Sequence, residues 1–214
     1  MDTGFTYTPL TLPPDDPIDF MGPKSYKAKL KEARDKCPFQ EAFSIVTGTI
    51  DSMPLVSMFM DFDFIGGSMG IAVGDAIVQT CSIAIKRHIP AIIFSSSGGA
   101  RMQEGIFSLM QMPRTVVHVE RVKKSGLPFI SVLTHPTTGG VLASFAMRGS
   151  VTLAEPDATI AFTGPRVIKD TLGIDLPPGF QSSQAAYSRG FIDQIVQRNE
   201  LKGKIAQLLR IYNL

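Results

Sequence analysis

Short apolar runs alternate with amphipathic stretches through the middle of the chain. The runs "AIIFSS" and "PFISVLT" are continuous, as is typical of strands buried on both faces of a sheet. Helical periodicity lies between and after them, in "RMQEGIFSLMQM" and "TVVHVERVKKS". This alternation of strand and helix predicts an α/β fold with parallel strands.

Further elements flank this alternation on both sides. Residues 25–36 predict a surface helix, and the runs at 43–50 and 54–64, around the turn-prone "DSMP", predict an antiparallel pair of strands. Later, "VTLAE", "ATIAF" and "IDQIV" predict strands, whereas "GPRVIKDTLG", "SSQAAYSRG" and residues 199–212 predict helices. Pro113 is expected to kink or divide the helix that contains it, since proline removes a backbone donor.

The length and the proline distribution indicate one domain with an N-terminal extension. Prolines at positions 9, 13, 14 and 17 predict an extended arm over residues 1–22. The remaining residues, 23–214, are long enough for a single core, and a hydrophobic content of 44% fits a compact domain.

Composition excludes several classes of protein. Lys and Arg number 21 against 19 Asp and Glu, and a net charge of +2 gives no broad attraction for nucleic acid or membrane. Cys37 and Cys81 are the two cysteines, too few for a four-cysteine zinc ribbon or a disulfide framework, so no metal is expected. No apolar run reaches the roughly 18 residues of a membrane span, and the N-terminus has no signal-peptide pattern. A cytoplasmic protein is therefore expected.

Three glycine pairs occupy equivalent places in the predicted fold. Gly66 and Gly67 follow "FDFI", Gly98 and Gly99 follow "IIFSSS", and the pair at 139–140 follows "ISVLTHPTT". Each pair lies between the carboxyl end of a strand and a helix, which is the edge where α/β sheets bind ligands. Backbone N–H groups at such a place can stabilise an oxyanion without a nucleophilic side chain, although each pair could also simply permit a tight turn.

Two side chains in these loops have alternative interpretations. Arg101 could form an ion pair with Glu104, three residues later, or help to place a ligand. Ser68 lies in "GGSMG", which matches the G-x-S-x-G nucleophile elbow of α/β hydrolases. A hydrolase is disfavoured because few strands precede the motif and His135 is the one histidine well placed for chemistry. Phosphate-loop and dinucleotide-binding motifs do not occur in the sequence.

Long motifs give the chain a strong resemblance to a known family. The segments "FDFIGGSMG", "SSSGGARMQEG", "LPFISVLTHPTTGGVLASFAM", "AEPDATIAFTGPRVI" and "LPPGFQ", in this order, resemble the β subunit of bacterial and plastid acetyl-CoA carboxylase carboxyltransferase. The resemblance runs from about residue 25 to the C-terminus. It implies a crotonase-type (ClpP/crotonase-like) superhelix of repeated ββα units. A plastid stromal location would follow if the source were a plant or alga.

The family resemblance also implies a reaction and a set of site residues. The family transfers a carboxyl group from carboxybiotin, held on a biotin carboxyl carrier protein, to acetyl-CoA, giving malonyl-CoA for fatty acid synthesis. This chemistry places negative charge on the thioester oxygen and on the biotin ureido oxygen. Gly139 and Gly140 match the family's oxyanion-hole glycines and are the predicted catalytic residues. The predicted substrate-binding residues are Gly66, Gly67, Gly98, Gly99, Ala100 and Arg101.

The expected partners follow from the same resemblance. They are a homologous α subunit in an α2β2 assembly, the biotin carrier and biotin carboxylase, whereas nucleic-acid binding is not expected without the family's zinc ribbon. The sequence departs from the family pattern at His135, Arg148, Ser182 and Pro113. The alternatives are a carboxyltransferase or decarboxylase for another acyl-CoA and a non-catalytic crotonase-like scaffold.

Overall fold

A computed structural model describes residues 1–212, except for the side chains at positions 165 and 166. Within this part of the chain the strands are β1 (Thr6–Tyr7), β2 (Phe43–Ile50), β3 (Met53–Met60), β4 (Ala91–Ser97), β5 (Phe129–Thr138), β6 (Val151–Ala154), β7 (Ile160–Ala161) and β8 (Gln194–Ile195). The helices are α1 (Tyr26–Lys36), α2 (Ile71–Arg87), α3 (Ile106–Lys124), α4 (Gly139–Leu142), α5 (Pro165–Leu172), α6 (Ser183–Ser188) and α7 (Leu201–Ile211).

The strands form one mixed sheet in the order β1-β2-β3-β4-β5-β6-β8, and β7 also pairs with β5. β2 and β3 form the predicted antiparallel hairpin, whose turn residues Asp51 and Ser52 have positive φ angles, as a tight hairpin turn requires. From β3 to β8 the strand pairs are parallel, as the alternation of strands and helices predicts. The carboxyl ends of β3, β4 and β5 therefore meet at one edge of the sheet.

Hydrophobic side chains fill both faces of the central strands. On β4, Ile93 belongs to the larger cluster, which includes buried residues of α2 and α3, and Ile92 belongs to a second cluster that includes Ile205 and Leu209 of α7. Successive strand residues point to opposite faces, so a continuous apolar run serves two cores at once. The arm over residues 1–22 is largely irregular but contributes β1, which pairs with β2.

Helix α3 differs from its prediction in two respects. It runs without a break from Ile106 to Lys124, although Pro113 lies inside it. Pro113 is on the exposed side, where water can hydrate the Leu109 carbonyl that loses its helical donor. The helix also begins later than expected, because residues 102–104 form a 3-10 turn.

Candidate active site

Loops with glycine pairs lie side by side at the carboxyl ends of β3, β4 and β5. The Gly98 N–H donates to the Gly66 carbonyl oxygen at 2.9 Å, which joins the first loop to the second. The Met69 N–H donates to the Gly99 carbonyl oxygen at 2.8 Å and strengthens the same junction. The three pairs therefore share one sheet edge, as their positions in the sequence indicate.

Glycine is required where the second and third loops touch. Gly99 and Gly139 have positive φ angles of 117° and 59°, and a Cβ added to Gly139 would lie 3.0 Å from the Gly99 Cα. A side chain at either position would be strained by the backbone conformation and crowded by the facing loop. The Gly139 N–H donates to the Phe162 carbonyl oxygen at 3.0 Å. Gly139 thus holds the third loop in place with its own amide.

Two backbone N–H groups at this junction have no protein acceptor. Among the hydrogen bonds of residues 1–212, neither the Ala100 N–H nor the Gly140 N–H donates to a protein oxygen. The two residues are neighbours, since a Cβ added to Gly140 would lie 3.5 Å from the Ala100 Cβ. Of the two predicted catalytic glycines, Gly140 alone offers an amide that the protein does not use.

Beneath the loops, the Arg101 side chain is completely buried in a polar network. Its guanidinium binds the two carboxylate oxygens of Glu41 at 2.5 and 2.8 Å. It also donates to the Ser68 hydroxyl and carbonyl oxygens at 3.1 and 2.8 Å and to the Tyr26 hydroxyl at 3.1 Å. Burial would lower the pKa of Arg101, but the contacts with Glu41 and Tyr26 hold that pKa above its usual range.

In this network Arg101 has a role within the protein, which differs from its predicted role as a substrate-binding residue. Protein oxygens occupy the donors of its guanidinium, and the side chain has no exposed surface, so it does not reach a ligand in this arrangement. The predicted pairing with Glu104 is present at 3.5 Å, but Glu41 is the closer partner. Glu41 and Tyr26 escape sequence analysis because they lie 60 and 75 residues before Arg101.

Glu104 connects the same network to the start of α2. One carboxylate oxygen accepts from the Tyr26 hydroxyl at 2.6 Å, and the other accepts from the Ile71 N–H at 2.7 Å. A carboxylate at a helix N-terminus satisfies an otherwise unpaired donor and interacts favourably with the helix dipole. Burial raises the pKa of Tyr26, whose phenol therefore stays protonated as a donor at neutral pH.

A cavity of about 590 Å³ opens next to the third glycine loop. Leu142 and Ala143, which directly follow that loop, form part of its wall, together with Phe162, whose carbonyl oxygen accepts from Gly139. Arg148 and Arg189 are its cationic wall residues. The volume and mainly apolar lining are typical of small-molecule sites. The other lining residues are Ser144, Met147, Ile160, Ala161, Phe180, Ser182, Ala186 and Phe191.

The arrangement around Ser68 does not resemble a hydrolase triad. Its hydroxyl donates to the Ile65 carbonyl oxygen at 2.8 Å and accepts from Arg101, so it has no contact with a histidine. The His135 ring accepts from the Thr159 N–H at 3.2 Å. Cys81 is fully buried in α2, and burial raises the pKa of its thiol to about 12, so it serves as a core residue.

The described residues include neither a cluster of metal ligands nor a membrane-spanning helix. Over residues 1–212, no three His, Cys, Asp or Glu side chains come together in a way that could hold a metal ion. None of the helices described for these residues combines the length and apolar character that crossing a bilayer requires.

Comparison with known proteins identifies the family. The profile of the carboxyl transferase domain matches residues 10–181. The chain belongs to the carboxyl transferase family. It is 51% identical over 196 residues to the acetyl-coenzyme A carboxylase carboxyl transferase subunit beta of Mesorhizobium japonicum, covering 92% of this chain and 64% of that protein. The same subunit of Brucella canis is 51% identical over 207 residues, 96% of this chain and 69% of the relative.

These relatives confirm the predicted membership among acetyl-CoA carboxylase carboxyltransferase β-type subunits. The chain spans about two thirds of the length of these curated relatives. Solved structures confirm the crotonase-like fold of this carboxyltransferase. Transcarboxylase 12S, with methylmalonyl-coenzyme A and methylmalonic acid bound, has a TM-score of 0.70 at 30% identity over 82% of this chain and 34% of that one. A Pseudomonas malonate decarboxylase hetero-tetramer has a TM-score of 0.74 at 20% identity over 95% and 76% of the two chains.

Some departures from the family pattern have clear local roles in this carboxyltransferase. Arg148 donates to the Glu120 carboxylate at 2.9 Å and thereby connects the cavity wall to α3. Ser182 caps α6, where its hydroxyl accepts from the Ala185 N–H at 3.2 Å. Neither role involves the glycine loops.

Proposed function

We propose that this chain forms the acetyl-CoA side of a carboxyltransferase site, in which carboxyl transfer from carboxybiotin to acetyl-CoA yields malonyl-CoA. The observation that carries the proposal is the pair of unused N–H groups at Ala100 and Gly140, side by side at the sheet edge. The 51% identity to acetyl-CoA carboxylase β subunits supports this choice of reaction.

In this mechanism the two amides stabilise negative charge on the substrate. Removal of a methyl proton from acetyl-CoA leaves an enolate whose charge resides largely on the thioester oxygen. N–H groups fixed in position before the reaction stabilise such a charge without reorganisation. Gly140 and Ala100 are the proposed donors, whereas Gly66, Gly67, Gly98 and Gly99 shape the loops around the thioester. Carboxybiotin, carried on its partner protein, would supply both the carboxyl group and, at its ureido group once the carboxyl group has left, the base that takes the methyl proton.

The cavity beside the third glycine loop suits a CoA thioester. It is mainly apolar, as the pantetheine arm requires, and Arg189 provides a cation for a phosphate group. The Arg189 guanidinium lies 5.0 Å from the centre of the Phe180 ring and has no salt bridge among the described residues. We place part of the CoA moiety here, with the acyl group toward Gly140.

The outer surface of α3 supports the proposal of a partner subunit. Ile106, Met110 and Val117 are 62%, 56% and 49% exposed on this helix, whereas the polar Gln111 and Thr115 are buried beneath it. An apolar stripe on the solvent side indicates a protein interface. The family implies a homologous α subunit that provides the biotin half of the site, together with the biotin carrier protein and biotin carboxylase. The α2β2 stoichiometry and cytoplasmic location remain predictions from the sequence.

Reverse carboxyl transfer tests this function directly. The chain, mixed with a homologous α subunit, biotin and malonyl-CoA, is expected to produce acetyl-CoA, which is measured by chromatography. Ser68→Ala should retain activity within about tenfold, because its hydroxyl does no chemistry, whereas loss of a catalytic nucleophile typically lowers kcat by far more.

Each other outcome selects an alternative. No acetyl-CoA from an intact assembly would favour a non-catalytic scaffold, and full transfer by the isolated chain would contradict the need for a partner. A loss of nearly all turnover in a folded Ser68→Ala variant would support the alternative that the protein is a hydrolase with Ser68 as its nucleophile. Faster turnover of methylmalonyl-CoA than of malonyl-CoA would indicate a carboxyltransferase for a different acyl group.

A further inference from the structure

The buried Arg101 network joins segments that are distant in the sequence. Tyr26 comes from the start of α1, Glu41 from the residues before β2, and Ser68 from the first glycine loop. Arg101 itself directly follows Ala100, one of the two residues with an unused N–H. The network therefore lies directly behind the proposed oxyanion site, on the protein side of the second glycine loop.

Backbone hydrogen bonds to Met69 fix the chain on both sides of Ala100. The Gly99 carbonyl oxygen accepts from the Met69 N–H at 2.8 Å, and the Arg101 N–H donates to the Met69 carbonyl oxygen at 3.0 Å. The Arg101 guanidinium then binds the Ser68 carbonyl oxygen at 2.8 Å, one residue before Met69. Backbone and side chain together hold residues 99–101 against the first loop, with the Ala100 N–H left free.

Holding a loop with a buried charge carries a large desolvation penalty. Removing an arginine and its carboxylate partner from water is strongly unfavourable, and a well-packed apolar cluster often gives equal or greater stability. What the ion pair adds is directional: the planar guanidinium fixes the positions of several oxygens at once. In this chain those oxygens belong to Glu41, Ser68 and Tyr26.

We propose that Arg101 is a positioning residue for the carboxyl transfer reaction: held by Glu41, it fixes the orientation of the Ala100 peptide so that its N–H faces the thioester oxygen. This inference rests on the proposed function. Arg101 does not touch the substrate, and its contribution is felt mainly when negative charge develops on that oxygen. Its loss therefore lowers kcat and leaves ground-state binding of the thioester largely intact.

The test compares Arg101→Lys with the wild-type chain in the assembled carboxyltransferase. Lysine keeps the charge but cannot bind Glu41 and Ser68 in the same fixed geometry. We expect kcat for reverse transfer to fall by about 10- to 100-fold, as for other small displacements of catalytic groups. KM for malonyl-CoA should change little, and amide hydrogen exchange over residues 98–101 should become faster.

Arg198→Lys is the matched control. Arg198 also forms a two-point pair with a glutamate, Glu155, at 2.5 and 2.8 Å, but makes no hydrogen bond to the glycine loops among the described residues. It should leave both kcat and exchange at wild-type values. If Arg101→Lys does not fold, Glu41→Gln replaces it in the test. This change preserves the side-chain shape but removes the negative charge that binds Arg101. The same loss of kcat at constant KM is expected.

Three results would overturn the positioning role. They are an unchanged kcat in folded Arg101→Lys, a raised KM with an unchanged kcat, and a loss of activity that merely tracks the unfolded fraction. Absence of transfer by the wild-type assembly would instead refute the proposed function. In that case the exchange measurement would still show whether Arg101 holds the loop.

Discussion

At the scale of single residues, the two glycines of the first loop have different reasons to be glycine. Gly66 has a φ of 65° and nothing within 4 Å of an added Cβ, whereas a Cβ on Gly67, φ 60°, would overlap the Ser96 carbonyl oxygen. Gly66→Ala therefore meets conformational strain alone. Gly67→Ala meets the same strain and also presses against the backbone of β4.

This difference gives a matched pair of variants. Gly66→Ala should lower the free energy of unfolding by about 1–2 kcal/mol, the usual penalty for a left-handed conformation. Gly67→Ala should lower it by about 1–3 kcal/mol more, as other overpacked sites do. Chemical denaturation monitored by circular dichroism measures both. Equal losses would mean that β4 moves away from Gly67 without difficulty.

The glycine pairs can be predicted from the sequence, but the different roles of the two glycines within a pair cannot. Their positions after apolar runs indicate a shared sheet edge, and the structure has them there. The Gly139 N–H donates to the Phe162 carbonyl oxygen, whereas the Gly140 N–H has no protein acceptor among the described residues. This difference depends on a contact between residues that are 23 positions apart in the chain. The burial of Arg101 likewise depends on Glu41, for which no local pattern gives a signal.

At the scale of secondary-structure elements, the first half of α3 turns polar residues inward and apolar residues outward, whereas Val119 and Val122 in its second half are buried in the core. The side-chain amide of the buried Gln111 has a hydrogen-bond partner within the helix, since its Nε2 donates to the Phe107 carbonyl oxygen at 2.9 Å. It also packs closely on Gly74 of α2, where any Cβ would overlap it. Periodicity reveals a helix here, but it does not reveal which face is buried, because apolar side chains can equally face a partner protein.

The outer face of α3 should therefore be needed for assembly and not for folding. Met110→Glu is expected to change the free energy of unfolding of the isolated chain by no more than about 0.5 kcal/mol, as at other surface positions. It should weaken association with the α subunit by tenfold or more, since burying an unpaired charge in an interface is unfavourable. Analytical ultracentrifugation of the mixture measures this.

The control for α3 lies on a different helix. Gln207→Glu places the same charge on the exposed side of α7 and should leave association unchanged. Unimpaired assembly of the Met110→Glu variant would show that the partner binds elsewhere, and unfolding of that variant alone would show that the stripe packs within the chain.

At the scale of the whole molecule, two hydrophobic clusters share one sheet. Neighbouring residues of β4, Ile92 and Ile93, belong to different clusters, so neither core can be lost while the other keeps its strands. Ile205→Ala, in the cluster that includes α7, should lower the free energy of unfolding by about 2–5 kcal/mol. The transition should remain single, and amide exchange in β4 should accelerate with it.

The matched change for this prediction is Gln207→Ala on the exposed side of the same helix, which should have little effect. Two separate transitions in the Ile205→Ala variant would show that the clusters unfold independently. In that case the sheet would not couple the glycine loops to α7.

The backbone contact between Gly99 and Gly139 limits how the acyl preference of such an enzyme can be redesigned. Neither position can accept even a methyl group without moving the opposite loop, so libraries randomised there would mostly yield inactive proteins. Gly140 is different: the atom nearest an added Cβ is the Met112 sulfur, at 2.8 Å, the flexible end of a side chain from α3. Met112 is accordingly the position at which engineering for shorter or bulkier acyl groups should begin.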